Sequence, residues 1–159
     1  MPNKISIGLI ALCTVIYFTS CDERVCEEDT DVYLNAGFYT MSSGFQRDSI
    51  VQDLTLYGAG RSDSLIYDQS TRQKIYLPLS KHSDTSRFIL QIAGIQDELT
   101  LISTRKLKLI SHECGFITEY DIQEIQSTTI NIDSAIVVQH IVTNFDEEHI
   151  KIFLQAATP

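Results

Sequence analysis

The sequence contains no tryptophan and only 3 prolines and 7 glycines among its 159 residues. So few glycines and prolines exclude a collagen-like or low-complexity chain. The 12 basic residues are outnumbered by 21 acidic ones, which gives a formal net charge of −9. A nucleic-acid-binding protein needs a basic surface that displaces counterions from phosphate. We therefore expect no nucleic acid among the partners of this chain.

Hydrophobic residues make up 43% of the chain, which is too large a share for a disordered protein. The length fits one domain with an appended terminal segment, and it is sufficient to bury a sizeable core. The four cysteines are too few for a small fold held together mainly by disulfides. Their positions are more informative than their number.

The N-terminal residues have the pattern of an export signal. Lys4 precedes an apolar run from Ile5 to Phe18, and no acidic residue occurs before Asp22. The run has the length of a signal-peptide hydrophobic region, whereas a membrane-spanning helix needs about 20 apolar residues. We predict that residues 1–20 form a signal-peptide helix that is cleaved from the mature protein.

The segment Phe18-Thr19-Ser20-Cys21 resembles a bacterial lipoprotein box, in which small residues precede a cysteine. In signals of this type the cysteine becomes the first mature residue and receives lipid, so the resemblance implies lipidation of Cys21. Several acyl chains on one residue are enough for stable membrane anchoring. The alternative is an ordinary cleaved signal in which Cys21 stays unmodified.

Residues 21–31 follow as an acidic tether that includes Asp22-Glu23 and Glu27-Glu28-Asp29. Anionic head groups repel such a segment, so we expect it to extend away from the membrane. Residues 32–159 are predicted to form the folded domain. We expect the protein in the cell envelope, as an outer-membrane lipoprotein on the periplasmic or the surface face.

The predicted signal cleavage and lipidation decide which of the four cysteines remain to form a disulfide. Cys13 lies in the predicted signal, and Cys21 is assigned to lipid, which leaves Cys26 and Cys114. An even pair in an oxidising compartment predicts a Cys26–Cys114 disulfide. Two buried free thiols, or a metal site formed by Cys114 with the adjacent His112, are the alternatives.

From residue 32 onward the hydrophobic pattern has a period close to two, as in residues 53–56 and 106–109. Turn-type clusters such as Ser42-Ser43-Gly44 and Ala93-Gly94 separate the apolar runs. Turns every 8–12 residues or so are typical of all-β sandwiches and barrels. We predict an all-β fold, a single antiparallel β-sandwich of Ig-like or jelly-roll-like type with about seven to nine strands.

The lipoprotein box at Cys21, the acidic setting of Cys26, the segment Leu77-Pro78-Leu79 and the late Cys114-Gly115-Phe116 occur together in this chain. In this combination the whole chain resembles a family of small Bacteroidetes-type lipoproteins of unknown function. The resemblance implies export, lipidation and a β-rich domain. It implies no activity, cofactor or catalytic residue.

The sequence offers no recognisable catalytic or metal-binding motif. It contains no His-Glu-x-x-His and no Gly-x-Ser-x-Gly, and the acidic residues 146–148 lack the alternation of a calcium loop. We expect surface or strand-face positions for all four histidines, which are His82, His112, His140 and His149. We therefore expect no enzyme activity, no cofactor and no metal.

Three Asp-Ser-apolar triplets place Ser49, Ser64 and Ser134 in a pattern that resembles the acceptor motif of a bacterial O-glycosylation system. The alternative is that Asp-Ser marks turns, because both side chains bond to nearby backbone groups.

Three functions compete. The first is a non-enzymatic, membrane-tethered module that docks to an envelope protein. The second is a lipoprotein that binds a glycan or a peptide with loops at one end of the sandwich. The third is a hydrolase that uses carboxylates distant in sequence, for which the candidates are Asp53, Asp97, Glu119 and Asp121.

Overall fold

The computed structural model describes residues 26–155, so the predicted signal peptide and Cys21 lie outside the described residues. Within this range the chain forms β-strands and no helix. The strands are β1 Leu34–Ser42, β2 Phe45–Asp48, β3 Val51–Gly58, β4 Leu65–Arg72, β5 Lys74–Leu77, β6 Thr85–Ile92, β7 Ile95–Ser111, β8 Gly115–Ser127, β9 Ile132–Val137, β10 Ile141–Val142 and β11 Glu148–Leu154.

The strands form two sheets that pack against each other, which confirms the predicted all-β sandwich. In the first sheet, β2 and β5 pair with the two halves of β1, and β11 and β9 follow on its other side. The second sheet has the order β10-β8-β7-β6-β3-β4. One pair departs from the predicted antiparallel arrangement, because β1 and β11 run parallel. A parallel pair needs a long connection, and these two strands are the first and the last described.

The hydrophobic core lies between the sheets and follows the period of two seen in the sequence. Alternate residues of β3 and β7 point inward, so that Leu54, Leu56, Leu99 and Leu101 are fully buried. Each such side chain contributes about 1.5–3 kcal/mol to the free energy of folding through removal from water. This apolar layer holds the two sheets together and thereby fixes the strands that carry the side chains described below.

The structure contains more strands than the seven to nine that the sequence predicts. The additional strands are short: β2 has four residues and β10 has two. All four residues of β2 are exposed, so it carries no alternation between buried and polar positions. A strand with no buried face leaves no periodic signal in the sequence.

Two predicted turns form tight hairpins. Ser43 and Gly44 have φ values of 54° and 81°, and Ala93 and Gly94 have values of 49° and 83°. Two-residue hairpin turns of the type that matches strand twist require positive φ at both positions. The glycines at 44 and 94 meet this requirement without steric cost.

The longest hairpin extends beyond its neighbours. β7 has 17 residues, and its pairing with β6 ends at Ile102. β8 pairs with β10 only at Tyr120 and Asp121. Residues 105–119 therefore form a two-stranded ribbon that pairs only with itself, and we call this segment the arm.

Candidate functional site

A disulfide joins Cys26 to Cys114, which confirms the predicted pair. The two Cα atoms are 4.8 Å apart although the residues are separated by 88 positions. Cys114 lies in the turn of the arm, where its N–H donates a hydrogen bond to Ser111 Oγ at 3.0 Å. The disulfide thus attaches the first described residue to the turn of the arm, and neither the free thiols nor the Cys114–His112 metal site is formed.

One face of the arm carries exposed apolar side chains. Leu109 and Phe116 are directly opposite each other, and Leu107 lies two residues before Leu109 on the same face. The exposed fractions are 70% for Leu107, 50% for Leu109 and 66% for Phe116. We call these three residues the arm face.

The arm face continues the core-facing side of β8. Phe116 and Tyr120 point to the same side of the strand because they are four residues apart. Tyr120 is buried in the core and its hydroxyl donates a hydrogen bond to the Leu79 carbonyl at 3.3 Å. The side of the sheet that is covered at Tyr120 is therefore uncovered at Phe116.

Two basic residues of the arm form ion pairs, Lys108 on its other face and Arg105 at its base, and the exposed Lys106 lies opposite Glu119 in the strand register. Lys108 Nζ lies 3.2 Å from Glu119 Oε1, and Arg105 lies 2.7 Å from Asp84 Oδ1. Arg105 also donates a hydrogen bond to the Lys81 carbonyl. Exposed pairs of this kind contribute at most about 1 kcal/mol each, so they orient the arm more than they stabilise it.

A buried polar cluster joins the beginnings of β1 and β11. Asn35 and His149 are only 2% and 1% exposed, and the Asn35 N–H donates a hydrogen bond to His149 Nδ1 at 3.1 Å. The Asn35 amide group donates a second bond to Asp146 Oδ1. Burial lowers the pKa of His149, although the charges of Glu147 and Asp146 oppose this shift. His149 lies on a strand face as expected, and it serves as a neutral hydrogen-bond acceptor that holds two strands together.

A tyrosine–glutamate pair lies beside this cluster. Tyr39 donates a hydrogen bond to Glu148 at 2.7 Å. Burial, that hydrogen bond and the charges of Glu148 and Asp48 raise the pKa of Tyr39 to about 12. Gly37 makes room for the pair, because a Cβ at this position would collide with the Glu148 carboxylate.

Asp97 is buried and holds the loop between β8 and β9. Its Oδ1 accepts hydrogen bonds from the Thr128 hydroxyl and the Ile130 N–H, and its Oδ2 accepts one from the Asn131 N–H. Burial would raise the pKa of Asp97, but these hydrogen bonds outweigh it and lower the pKa below its ordinary value. Asp97 is therefore an ionised residue that orders a loop.

Of the other carboxylates considered for hydrolysis, Glu119 and Asp121 line one cleft of about 260 Å³ together with Tyr120, and Asp53 lies elsewhere. Asp53 is exposed on β3, Glu119 pairs with Lys108, and Asp121 pairs across strands with Ile141. Between Cys26 and Gln155, no cluster of three or more His, Cys, Asp or Glu side chains is arranged to hold a metal ion. The same part of the chain contains no helix long and apolar enough to span a membrane.

A groove of about 510 Å³ lies beside the beginning of β6. Pro78, Phe88, Arg61 and Ser64 contribute to its walls, and no tyrosine lines it. Binding of a glycan by stacking needs an exposed aromatic platform, but Phe88, the aromatic residue in these walls, is only 4% exposed. The groove therefore offers little support to the glycan-binding alternative.

The three serines of the Asp-Ser triplets differ in accessibility. Ser64 is exposed in the bend before β4, Ser49 is half-buried after β2, and Ser134 is half-buried within β9. Ser134 Oγ also donates a hydrogen bond to the Asp133 carboxylate at 3.3 Å. Glycosylation stays a prediction, and Ser64 is the most accessible of the three acceptors.

Sequence reasoning identified the disulfide but not the arm face. The alternation in residues 106–109 predicts a strand, which the structure confirms. The same alternation is found in strands whose apolar side is buried, so it cannot show that the facing sheet ends before Leu107. The exposure of the arm face follows from the long pairing of residues 99–109 with residues 116–127, and the sequence does not show how far that pairing extends.

A family model described as a family of unknown function (DUF6452) matches residues 53–154. This range covers more than half of the chain and includes β4 to β11 complete, with the arm. No curated protein and no solved structure matches the chain.

Proposed function

We propose that this chain, which belongs to the DUF6452 family of unknown function, is an exported lipoprotein that docks to a protein of the cell envelope and has no enzymatic activity. The lipid on Cys21 would anchor it in the membrane, and the β-sandwich would be the docking module. The match to a family of unknown function agrees with the resemblance of the sequence to a family without a known activity.

The Cys26–Cys114 disulfide is the observation that carries the proposal. Disulfides form and persist in exported proteins, whereas the cytosol keeps thiols reduced. An export route agrees with the apolar run of Ile5 to Phe18 and with the lipoprotein box that ends at Cys21. The disulfide also joins the two cysteines that remain when Cys13 is removed with the signal and Cys21 carries the lipid.

The roles of the buried ionisable groups favour a non-enzymatic function. General acid–base catalysis needs a titratable group that can reach a substrate. Asp97 uses both carboxylate oxygens to hold the loop at residues 128–131, and His149 accepts a hydrogen bond from the backbone. Both groups therefore stabilise the fold through these hydrogen bonds.

Edge strands favour docking to a protein partner. β4 lies at the end of the second sheet and pairs on one side only, with β3. Its outer side offers backbone groups to which an extended segment of another protein can add as a further strand. Leu65, which is 43% exposed, adds an apolar contact at this edge.

The anchor is tested by expressing the full chain in its native host and comparing it with Cys21→Ala and Cys13→Ala. We expect the unchanged protein and the Cys13 variant to lose residues 1–20, gain the mass of diacylglycerol and acyl groups, and partition into detergent. The Cys21 variant should stay in the aqueous phase or remain unprocessed. An unchanged protein without acyl mass would contradict the lipoprotein assignment.

Docking is tested with a photo-crosslinking amino acid at Asp68, an exposed residue of β4, in the lipidated protein in the host. The matched control carries the same group at Gln46, an exposed residue of β2 in the other sheet. We expect one crosslinked envelope protein at Asp68 and not at Gln46. If neither β4 nor a general crosslinker captures a stoichiometric partner, the docking function is wrong.

A further inference from the structure

We propose that the arm face of Leu107, Leu109 and Phe116 lies against the membrane that carries the anchor and inserts its side chains among the lipids. The inference rests on the proposed function, because it needs a lipid on Cys21. It goes further by assigning a lipid-contacting surface and by fixing the orientation of the domain on the membrane.

Chain length places the turn of the arm close to the anchor. Only residues 22–25 separate Cys21 from Cys26. An extended chain covers at most about 3.6 Å per residue, so the Cα atoms of Cys21 and Cys26 are no more than about 18 Å apart. The disulfide adds 4.8 Å to reach Cα of Cys114. The turn of the arm therefore stays within reach of the head-group layer.

The disulfide thereby limits the reach of the predicted tether. Cys26 is bonded to Cys114, and the Asp29 carbonyl accepts a hydrogen bond from the Asn144 side chain at 2.8 Å. Residues 26 and 29 are thus held on the domain, and only the residues before Cys26 can act as a spacer. The acidic charge of this segment cannot move the domain far from the lipid, which revises the expectation of an extended tether.

The arm face is adjacent to that turn. Phe116 lies two residues after Cys114 and Leu109 five residues before it, on paired strands. Leucine and phenylalanine are the side chains with which interfacial segments enter the boundary between head groups and acyl chains, to a depth of about 5–10 Å. The exposed fractions of these side chains leave them free to do so.

The charges of the arm indicate an apolar contact. Lys108 is paired with Glu119, and Arg105 is paired with Asp84. The exposed Lys106 lies opposite Glu119 in the strand register, on the side of the arm away from Leu107, so the arm face itself presents no free cation to anionic lipid. Glu27, Glu28 and Asp29 are exposed near the disulfide and would be repelled by anionic head groups. We therefore expect insertion into zwitterionic membranes and no gain from anionic lipid.

The absence of tryptophan from the chain permits a direct test. Phe116→Trp places the only tryptophan of the variant on the arm face, where its emission can be excited apart from that of the seven tyrosines. Phe45→Trp is the matched control, because Phe45 is 73% exposed and lies on β2, in the sheet that does not contain the arm. Both lipidated full-length variants are placed in phosphatidylcholine vesicles, with and without brominated acyl chains.

For Phe116→Trp we expect a blue-shifted emission that brominated lipid quenches at least twofold more than the emission of Phe45→Trp. Adding 20% phosphatidylglycerol or raising the salt concentration should not increase the effect. A second variant, Phe116→Trp with Leu109→Asn, should reduce the quenching at least twofold while the protein stays vesicle-bound through its lipid.

The outcomes separate the inference from the proposed function. Acylated protein with equal quenching at positions 116 and 45 would overturn the arm contact alone. A blue shift at position 116 without bromine quenching would show that protein, such as a second copy, covers the arm face, and would also overturn it. Absence of acyl mass would overturn both proposals.

Discussion

The backbone N–H of Asn35 donates a hydrogen bond to Nδ1 of His149 at 3.1 Å, in a part of the molecule where both residues are buried. Such a bond requires His149 Nδ1 to be unprotonated. The first and last described strands are therefore joined by a contact that depends on the charge state of one histidine.

This relationship predicts a loss of stability in mild acid. The pKa of His149 is lowered in the folded protein, whereas an unfolded histidine has a pKa of about 6.5. As the pH falls below about 6.5, the unfolded chain binds a proton that the folded protein does not, so the free energy of unfolding decreases. Above that pH this contribution is fully present.

His149→Gln should lower the free energy of unfolding at pH 8 by about 1–2 kcal/mol, through the lost hydrogen bond. It should also reduce the further loss between pH 7.5 and pH 5. Urea denaturation at several pH values measures both effects. The control is His82→Gln, since His82 is exposed and its replacement should change neither value. An unaltered pH slope in the His149 variant would show that another group is responsible.

Asp97→Asn should destabilise the protein by roughly 2–3 kcal/mol, because hydrogen bonds to a charged acceptor are replaced and one amide N–H faces another donor. The matched control is Asp53→Asn. Asp53 is exposed and has a φ of 55°, a conformation that asparagine tolerates as well as aspartate. Chemical denaturation of the two variants should differ clearly; equal stabilities would contradict the role assigned to Asp97.

Gly37→Ala should separate Tyr39 from Glu148. The new methyl group would displace the Glu148 carboxylate and approach the Tyr39 ring, so the loss should be about 1–2 kcal/mol. Gly58→Ala is the matched control, because a Cβ there meets nothing within 4 Å and the strand should be unchanged or slightly more stable. Thermal unfolding of both variants tests the prediction, and it is contradicted if Gly37→Ala melts no lower than Gly58→Ala.

Removal of the disulfide should have the largest effect. Closing a loop of 88 residues stabilises a protein by about 4.6 kcal/mol in the chain-entropy model. Cys26→Ser with Cys114→Ser should therefore lower the Tm by roughly 10–20 °C. The unchanged protein in reducing agent is the control and should melt with the double variant. A double variant as stable as the oxidised protein would mean that the segment at Cys26 contributes nothing to the fold.

The fold class and the cysteine pair could be predicted because both depend on local or countable features. A period of two follows directly from the geometry of a strand, and it is visible in residues such as Leu54 and Leu56 whatever their partners are. The Cys26–Cys114 pair followed from elimination among four cysteines. The short strand β2 escaped prediction because all four of its residues are exposed and leave no pattern.

The candidate surface could not be predicted for a different reason. Leu107 and Leu109 have the same alternating context as the buried Leu99 and Leu101 of the same strand. Which of them is covered depends on where the opposite sheet ends. That position is a property of strand pairing across the whole chain.

The sequence by itself determined that this protein is built of strands and which two cysteines pair. These features follow from composition and from the two-residue repeat of the extended backbone. Only the tertiary structure decided that β1 and β11 run parallel, that Asp97 and His149 serve the fold, and that Leu107, Leu109 and Phe116 stay exposed. The physical reason is that burial depends on which sheet covers a residue, and residues far apart in the chain supply that cover.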